Sequence, residues 1–493
     1  MAGCTTDGLR AGRRAGRRTG LGAALRVLAC SAVLRTAVLG AVVLGAVVLG
    51  AVGTTGAVHA ADDTPEKAPA AGATGKVYTW KAANGLAYDW YLPKSYDEQK
   101  GITLTFILHG SNGWKGWGFS MHAPGEFRPD DLVVSPEGTT PNGQGGFNFL
   151  QSSDDLKRLH ELHEELRKTF KVNATYIYGL SQGSFFAHYY AGHYGDEVQG
   201  IVAHGSGLWI GSGLAKANHH QAIAVMHGRG DPVYPYGGGV GAWEGYVEAK
   251  YPLLRFRTLE LDLHWAPWGN QAQQLAWCEG MTSSDPERVA ANLAWLEEVK
   301  DDDGWFRDPV AAYQVALRAA SMQGVDGKVQ ARAKKLAESI DAVAAKQAAD
   351  IEASFAKTKG KVTDGAAWAG QAALFVRDWR GVPACDAFVG KWQKTLEKHD
   401  DAMKDASKDW YKAREKNKTG DAFDAALDAL EKGFLNWWSF DADVLKTIAG
   451  WRDDAKASGL SAAQTKRYDA VAKPVLEARE KGRKDYLKRN KEL

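Results

Sequence analysis

The feature that most constrains this chain is an alternation. Between Lys76 and about Lys300, short apolar runs are separated by stretches of helical periodicity. Leu104–Leu108, Leu132–Ser135, Thr175–Tyr178, Gly200–His204 and Ala222–Met226 read as buried strands, most of them closed by Gly or a polar turn. Asp154–Phe170 places Leu156, Leu159, Leu162 and Leu166 at three- and four-residue spacing, which predicts an amphipathic helix. Fully apolar strands that alternate with helices need cover on both faces. The expected class is therefore α/β, with a mostly parallel sheet covered on both faces.

After about Asp308 the pattern changes. Between Val310 and Leu493 there are only two prolines, Pro383 and Pro474, and β-branched runs vanish. Val329, Leu336 and Val343 recur every seven residues with Ala333 and Ile340 between them, which predicts a helix with one apolar stripe. Asp386–Lys416 and Ser461–Lys488 read as further long helices, the second kinked or restarted at Pro474. Ala422–Leu430 reads as another, capped by Asp421. This heptad pattern is too short for a coiled coil. The region 301–493 is expected to be an all-α helical bundle or helix-pair array, and 76–300 a catalytic domain that folds without it.

The first sixty residues carry seven arginines, from Arg10 to Arg35, against one acid, Asp7. An uncharged run over Ala37–Val52 follows, then Ala57-Val58-His59-Ala60. A basic start, an apolar middle and a small-residue end predict a secretory signal peptide at 1–60, cut near Ala60. An uncleaved membrane anchor is the alternative. Arg17-Arg18 and Val27-Leu28-Ala29-Cys30 match twin-arginine and lipoprotein signals poorly. Residues 61–75, rich in Ala, Pro, Gly and Thr, read as a flexible linker. The net charge of +2 gives no strong electrostatic drive toward nucleic acid.

Cleavage leaves two cysteines, Cys278 and Cys385, whose pairing stays open at this level. Asp301-Asp302-Asp303-Gly304 lacks the alternating carboxylates of a calcium loop. No cofactor and no metal are expected.

The chemistry is concentrated in Gly179-Leu180-Ser181-Gln182-Gly183, between the strand Thr175–Tyr178 and the helical pattern Phe185–Tyr194. In that setting the string predicts a nucleophile elbow, with Ser181 as nucleophile. A Cβ at Gly179 or Gly183 would collide with neighbouring backbone. Asp231, just past the strand Ala222–Met226, is the candidate acid. His264, after the strand-like Arg255–Leu261, is the candidate base. His219 and His220 precede the acid, Asp262 is too near His264 to orient it, and His204 is expected to shape the pocket floor. The oxyanion needs two N–H donors. Gln182 is one candidate, and Ser111, in the loop His109–Gly113, is the other.

Leu108-His109-Gly110, Ser135-Pro136-Glu137-Gly138, Asp154-Asp155, Gly179–Gly183, His227-Gly228, Asp231-Pro232-Val233 and His264-Trp265 occur in one order. Together they resemble the secreted polyhydroxybutyrate-depolymerase and feruloyl/acetyl-xylan-esterase group of α/β hydrolases, over roughly Thr79 to Leu296. The resemblance implies Ser181, Asp231 and His264 as a triad and an extracellular carboxylic-ester substrate, often polymer-linked. Gln182 stands where many members have Asn, and Ala266 comes between Trp265 and Pro267. The helical tail lies outside the resemblance.

The expected function is thus a secreted serine esterase. A serine peptidase of the same fold, or an idle hydrolase domain whose tail docks a partner, are the alternatives. Eighteen tryptophans are many for this length. Trp114, Trp117, Phe119, Trp209, Tyr234, Tyr236, Trp243, Trp265 and Trp268 are expected on loops near the site, where ring faces stack on an aromatic or sugar group.

Overall fold

The computed structural model describes residues 74–121, 124–214, 219–259, 264–266, 268–299, 308–356, 366–432 and 441–489. The leader, most of the linker, the Asp301–Gly304 run and Asp262 lie outside these residues. Among the described residues, no helix is long and apolar enough to cross a membrane.

Ten strands form. They are β1 Lys76–Lys81, β2 Ala87–Leu92, β3 Ile102–Leu108, β4 Asp131–Pro136, β5 Thr140–Pro141, β6 Phe147–Asn148, β7 Val172–Leu180, β8 Gly200–His204, β9 Ala222–Gly228 and β10 Leu254–Leu259. The two-residue β5 and β6 pair with each other. The other eight build one sheet in the order β1-β2-β4-β3-β7-β8-β9-β10. The β1–β2 and β2–β4 pairs are antiparallel, and every pair from β4 to β10 is parallel. This is the mostly parallel sheet of an α/β hydrolase, and the five apolar runs all became strands. The antiparallel β1–β2 hairpin carries mixed polar and apolar residues, so it left no comparable run in the sequence.

Alternate residues of each strand feed different faces. Phe106, Val134, Ile177, Ile201 and Val225 pack on one side. There the helices α3 Ser153–Thr169, α4 Gln182–His193 and α5 Tyr236–Glu248 cover them. Ile107, Val133, Tyr178, Val202 and Ala224 pack on the other. Helix α6 Trp268–Thr282 lies on that face, and α7 Pro286–Glu298 and α8 Pro309–Ser321 pack against α6 within the same apolar cluster. Two short helices, α1 Trp117–Met121 and α2 Pro124–Phe127, lie between β3 and β4.

The remaining helices are α9 Gly327–Ala356, α10 Ala366–Asp378, α11 Pro383–Glu415, α12 Thr419–Glu431, α13 Asp441–Asp453, α14 Ala455–Ser458 and α15 Ala462–Arg489. Among the described residues of the tail, every element is a helix, as the sequence predicts. Pro474 lies inside α15, which continues past it. The cap expected at Asp421 is a correction. Helix α12 begins two residues earlier, its N-cap is Lys418, and Asp421 sits in the first turn paired with Lys418 at 3.2 Å.

The core does not stop at residue 300. Val310, Ala312, Val315 and Ala319 of α8 share one apolar cluster with the sheet and with Phe375, Phe388, Phe423 and Leu427 of later helices. Asp308 caps α8 and pairs with the buried Arg255 of β10. Helix α10 also covers the sheet edge. Asp378 accepts hydrogen bonds from Thr258 N–H at 3.1 Å and Thr258 Oγ1 at 2.9 Å. An exposed strand edge would otherwise be a template for aggregation. Cys278 and Cys385 are both buried free thiols.

Candidate active site

Ser181 sits between β7 and α4 with φ 52° and ψ −119°. A side chain in that left-handed region is strained, and the surrounding backbone imposes it. Ser181 N–H donates to His204 O at 2.8 Å, across the neighbouring strand end. A Cβ on Gly179 would lie 2.5 Å from Gly183 O, and one on Gly183 would lie 2.4 Å from both Leu108 O and His109 O. The two glycines are therefore required by close approach, as expected from the sequence.

Asp231 follows β9 and is fully buried. Its Oδ1 accepts from Val233 N–H at 2.8 Å and Tyr234 N–H at 3.0 Å. Its Oδ2 lies 2.7 Å from His264 Nδ1. Burial alone would raise the Asp231 pKa. The hydrogen bonds and charges of His227 and His264 outweigh burial and hold the carboxyl well below the usual range. With Nδ1 committed to Asp231, Nε2 of His264 is the free face of the ring. It is buried and has no hydrogen-bond partner in this structure. Gly205, at φ 65°, passes beneath the ring, and a Cβ there would lie 3.0 Å from His264 Cε1.

The structure thus brings Asp231 and His264 into contact and presents Ser181 on the strained elbow. It closes no hydrogen bond between Ser181 and His264. Such contacts are often long without substrate and tighten when it binds.

Gln182 is the first residue of α4, where backbone N–H groups have no intrahelical partner. Its side chain accepts from Phe149 N–H at 3.1 Å, anchoring the loop before α3. Gly110 lies against Ser181, since a Cβ on it would be 3.3 Å from Ser181 Cβ. His109 fixes the next peptide. Its Nε2 accepts from Gly138 N–H at 2.8 Å, so its Nδ1 carries the proton and donates to Gly110 O at 2.6 Å. The N–H of Ser111 is trans to that carbonyl and points the other way. Asn112 N–H and Gly113 N–H are engaged with Asn148 Oδ1 and Gly110 O. Ser111 is therefore the candidate donor of this loop, and its side chain is exposed.

His227 carries a role that the sequence did not single out. Its Nε2 lies 3.0 Å from Tyr234 O and 3.3 Å from Asp231 Oδ2. Two oxygens facing one nitrogen assign the proton to Nε2. The available signal was its position at a strand end, four residues before Asp231. The excluded histidines lie elsewhere: His219 packs on Tyr251 and His220 is exposed. His204 ends β8 under the elbow, with Nδ1 3.3 Å from Tyr178 Oη.

The expected aromatic lining divides. Phe185, in the first turn of α4, stacks on Trp209 at 5.6 Å and meets Tyr234 edge-on at 5.2 Å. Trp114 and Trp265 are exposed. Trp243 and Tyr236 are instead core residues, and Trp117 and Phe119 pack against the core. The side chain of Trp268 lies outside what is described. Open clefts of about 310 Å³ beside Trp277 and Arg318 and about 530 Å³ beside Tyr91 and Asp130 do not touch Ser181, Asp231 or His264.

Residues 146–257 match the phospholipase/carboxylesterase family of α/β hydrolases. That segment holds Ser181 and Asp231. No curated protein matches the chain. Similar solved structures include a thermostable esterase (16% identity, TM-score 0.32), covering 41% of this chain and 62% of that one. A ferulic acid esterase is 17% identical with TM-score 0.34, covering 42% of this chain and 95% of that one. A feruloyl esterase module from Clostridium thermocellum complexed with sinapinate is 15% identical with TM-score 0.31, covering 40% and 84%. The family match falls on the segment that carries Ser181 and Asp231, within a sheet of the α/β-hydrolase type.

Proposed function

We propose, from the α/β-hydrolase fold and the match to the phospholipase/carboxylesterase family, that this chain is an exported serine esterase working through an acyl-Ser181 intermediate. The observation that carries this reading is the buried 2.7 Å contact between His264 Nδ1 and Asp231 Oδ2, at the same sheet edge as the elbow. In the first step Ser181 Oγ attacks the ester carbonyl and its proton passes to His264 Nε2. Asp231 holds the imidazole tautomer and stabilises the imidazolium. The N–H groups of Gln182 and Ser111 receive the oxyanion. Collapse expels the alcohol, which takes the proton from His264. Water then attacks the acyl-enzyme by the same route, releasing the acid and restoring Ser181.

The substrate reading rests on the surface around the elbow. Phe185, Trp209 and Tyr234 form an aromatic wall beside it. Trp114, Leu150, Ile210, Val233 and Trp265 are exposed large hydrophobics on loops that follow β3, β6, β8, β9 and β10. An apolar rim of this kind supports an ester with an aromatic acyl group or a polymer chain. Feruloyl or acetyl polysaccharide esters and polyhydroxyalkanoate-type polyesters are the proposed substrates. The basic and apolar leader supports export with cleavage near Ala60.

A substrate panel tests the assignment: methyl ferulate, acetylated xylan, hydroxybutyrate oligomers and peptides. Hydrolysis of one or more esters with no peptide cleavage is expected. Cleavage of peptides alone would make the chain a peptidase.

A further inference from the structure

Away from Ser181, three donor atoms converge beside the start of β7. His160 and His163 stand one turn apart on α3, and Glu197 lies in the turn after α4. Glu197 Oε2 is 3.4 Å from Nδ1 of each histidine, and the three atoms lie within 4.8 Å of one another. We propose that His160, His163 and Glu197 bind a divalent transition metal of the zinc class, with a fourth position open to water.

The spacing is the first argument. Tetrahedral coordination with bonds of roughly 2.0–2.2 Å separates neighbouring ligand atoms by about 3.3–3.5 Å, and both histidine–glutamate distances fall there. The second is satisfaction. His160 Nδ1 and Glu197 Oε2 are buried atoms, yet neither makes a hydrogen bond in this structure. Buried polar atoms without partners are costly, and a cation between them would satisfy both. The third is orientation. His163 Nε2 is held by Thr175 Oγ1 at 2.9 Å, the kind of outer hydrogen bond that fixes a ligand's ring and tautomer. The His160 ring stacks on Tyr194 at 4.0 Å and 7°. His163 is fully buried, while His160 and Glu197 are about a quarter exposed, so the site opens to solvent on one side.

Two groups compete with the metal. Tyr190 Oη lies 3.1 Å from His163 Nδ1, and its hydrogen bond would be given up on binding. Arg167 Nη1 is 3.7 Å from Glu197 Oε2 and 3.3 Å from Glu164 Oε1. Arg167 is 44% exposed and free to swing into water. A metal here would tie α3 to the turn after α4. Its role would be structural, since the triad stands at the opposite, carboxyl edge of the sheet. The proposal does not depend on the esterase reading.

The test uses the full chain, stripped with a chelator and titrated with Co²⁺ and then Zn²⁺. Wild type should take up about one Co²⁺ per chain, show the visible absorption of tetrahedral cobalt, and yield it to Zn²⁺. His160→Ala and Glu197→Gln should lose that uptake while p-nitrophenyl acetate hydrolysis is kept. Arg167→Ala should bind tighter, because a competing cation is removed. Absence of uptake by wild type, or equal uptake by wild type and the His160 and Glu197 variants, would overturn the proposal.

Discussion

His227 Nε2 lies 3.3 Å from Asp231 Oδ2, the same oxygen that holds His264 Nδ1 at 2.7 Å. One carboxylate oxygen thus serves two imidazoles, one on the side of Ser181 and one toward the core. The inner ring also reaches Tyr234 O, so it ties the acid to the loop that carries an aromatic wall of the site.

On the proposed mechanism, His227 is a positioning residue. His227→Leu should lower kcat/KM roughly tenfold, or about 1.4 kcal/mol. Losing that donor leaves more of the carboxylate charge on His264, so the acid limb of the kcat/KM profile should move to higher pH. His227→Gln, whose amide nitrogen still reaches the two oxygens, should recover most of the rate. A purely structural histidine would change stability and leave the pH limb in place.

Asp378 makes the junction with the helical tail pH-dependent. Burial pushes its carboxyl up to about 6, against the pull of Arg257, Thr258 and Arg377. A raised folded-state value stabilises the fold below the ordinary carboxylate range, and that contribution is lost as pH rises through about 6. Asp378→Asn keeps an acceptor for Thr258 N–H and carries no charge. The variant should gain on wild type by an amount on the order of 1–3 kcal/mol between pH 5 and pH 8. Thermal melts at both values check this, and parallel curves would show that Asp378 is ionised without cost.

The tail should also be needed for folding. A chain ending at residue 299 loses Asp308 and leaves Arg255 buried without its carboxylate. Removing one partner of a buried pair costs about 3–5 kcal/mol. The same cut uncovers the apolar faces of α6 and α7 that α8 packs on. A 74–299 fragment should be insoluble or melt far below the full chain. The independent folding expected from the sequence would be restored by a soluble fragment with a cooperative transition.

Much of the candidate site's geometry was legible because its signals are local. Ser181 is announced by glycines whose missing Cβ atoms are demanded within a few residues. Asp231 and His264 each follow an apolar strand in the required order. His227 was visible only as part of a motif, since its role depends on a ring reaching back four residues across a turn. The His160–Glu197 convergence was hidden for a different reason: helix and turn meet only when β7 brings α3 and α4 side by side. The shared core was hidden too. An apolar stripe on α8 states that it packs, not on what, and Asp308 reads as an ordinary cap until Arg255 is seen beneath it. The aromatic count misled in part, because Trp243 and Tyr236 are spent in the core.

The central claim is that Ser181 is the nucleophile of a covalent mechanism. Peptide mapping after reaction of the full chain with a fluorophosphonate probe tests it most directly. The account predicts one adduct, on Ser181, absent from Ser181→Ala and strongly slowed in His264→Ala. Ser181→Ala should in turn fail to hydrolyse p-nitrophenyl acetate while keeping the wild-type melting temperature. An adduct on any other residue, or undiminished hydrolysis by Ser181→Ala, would contradict it.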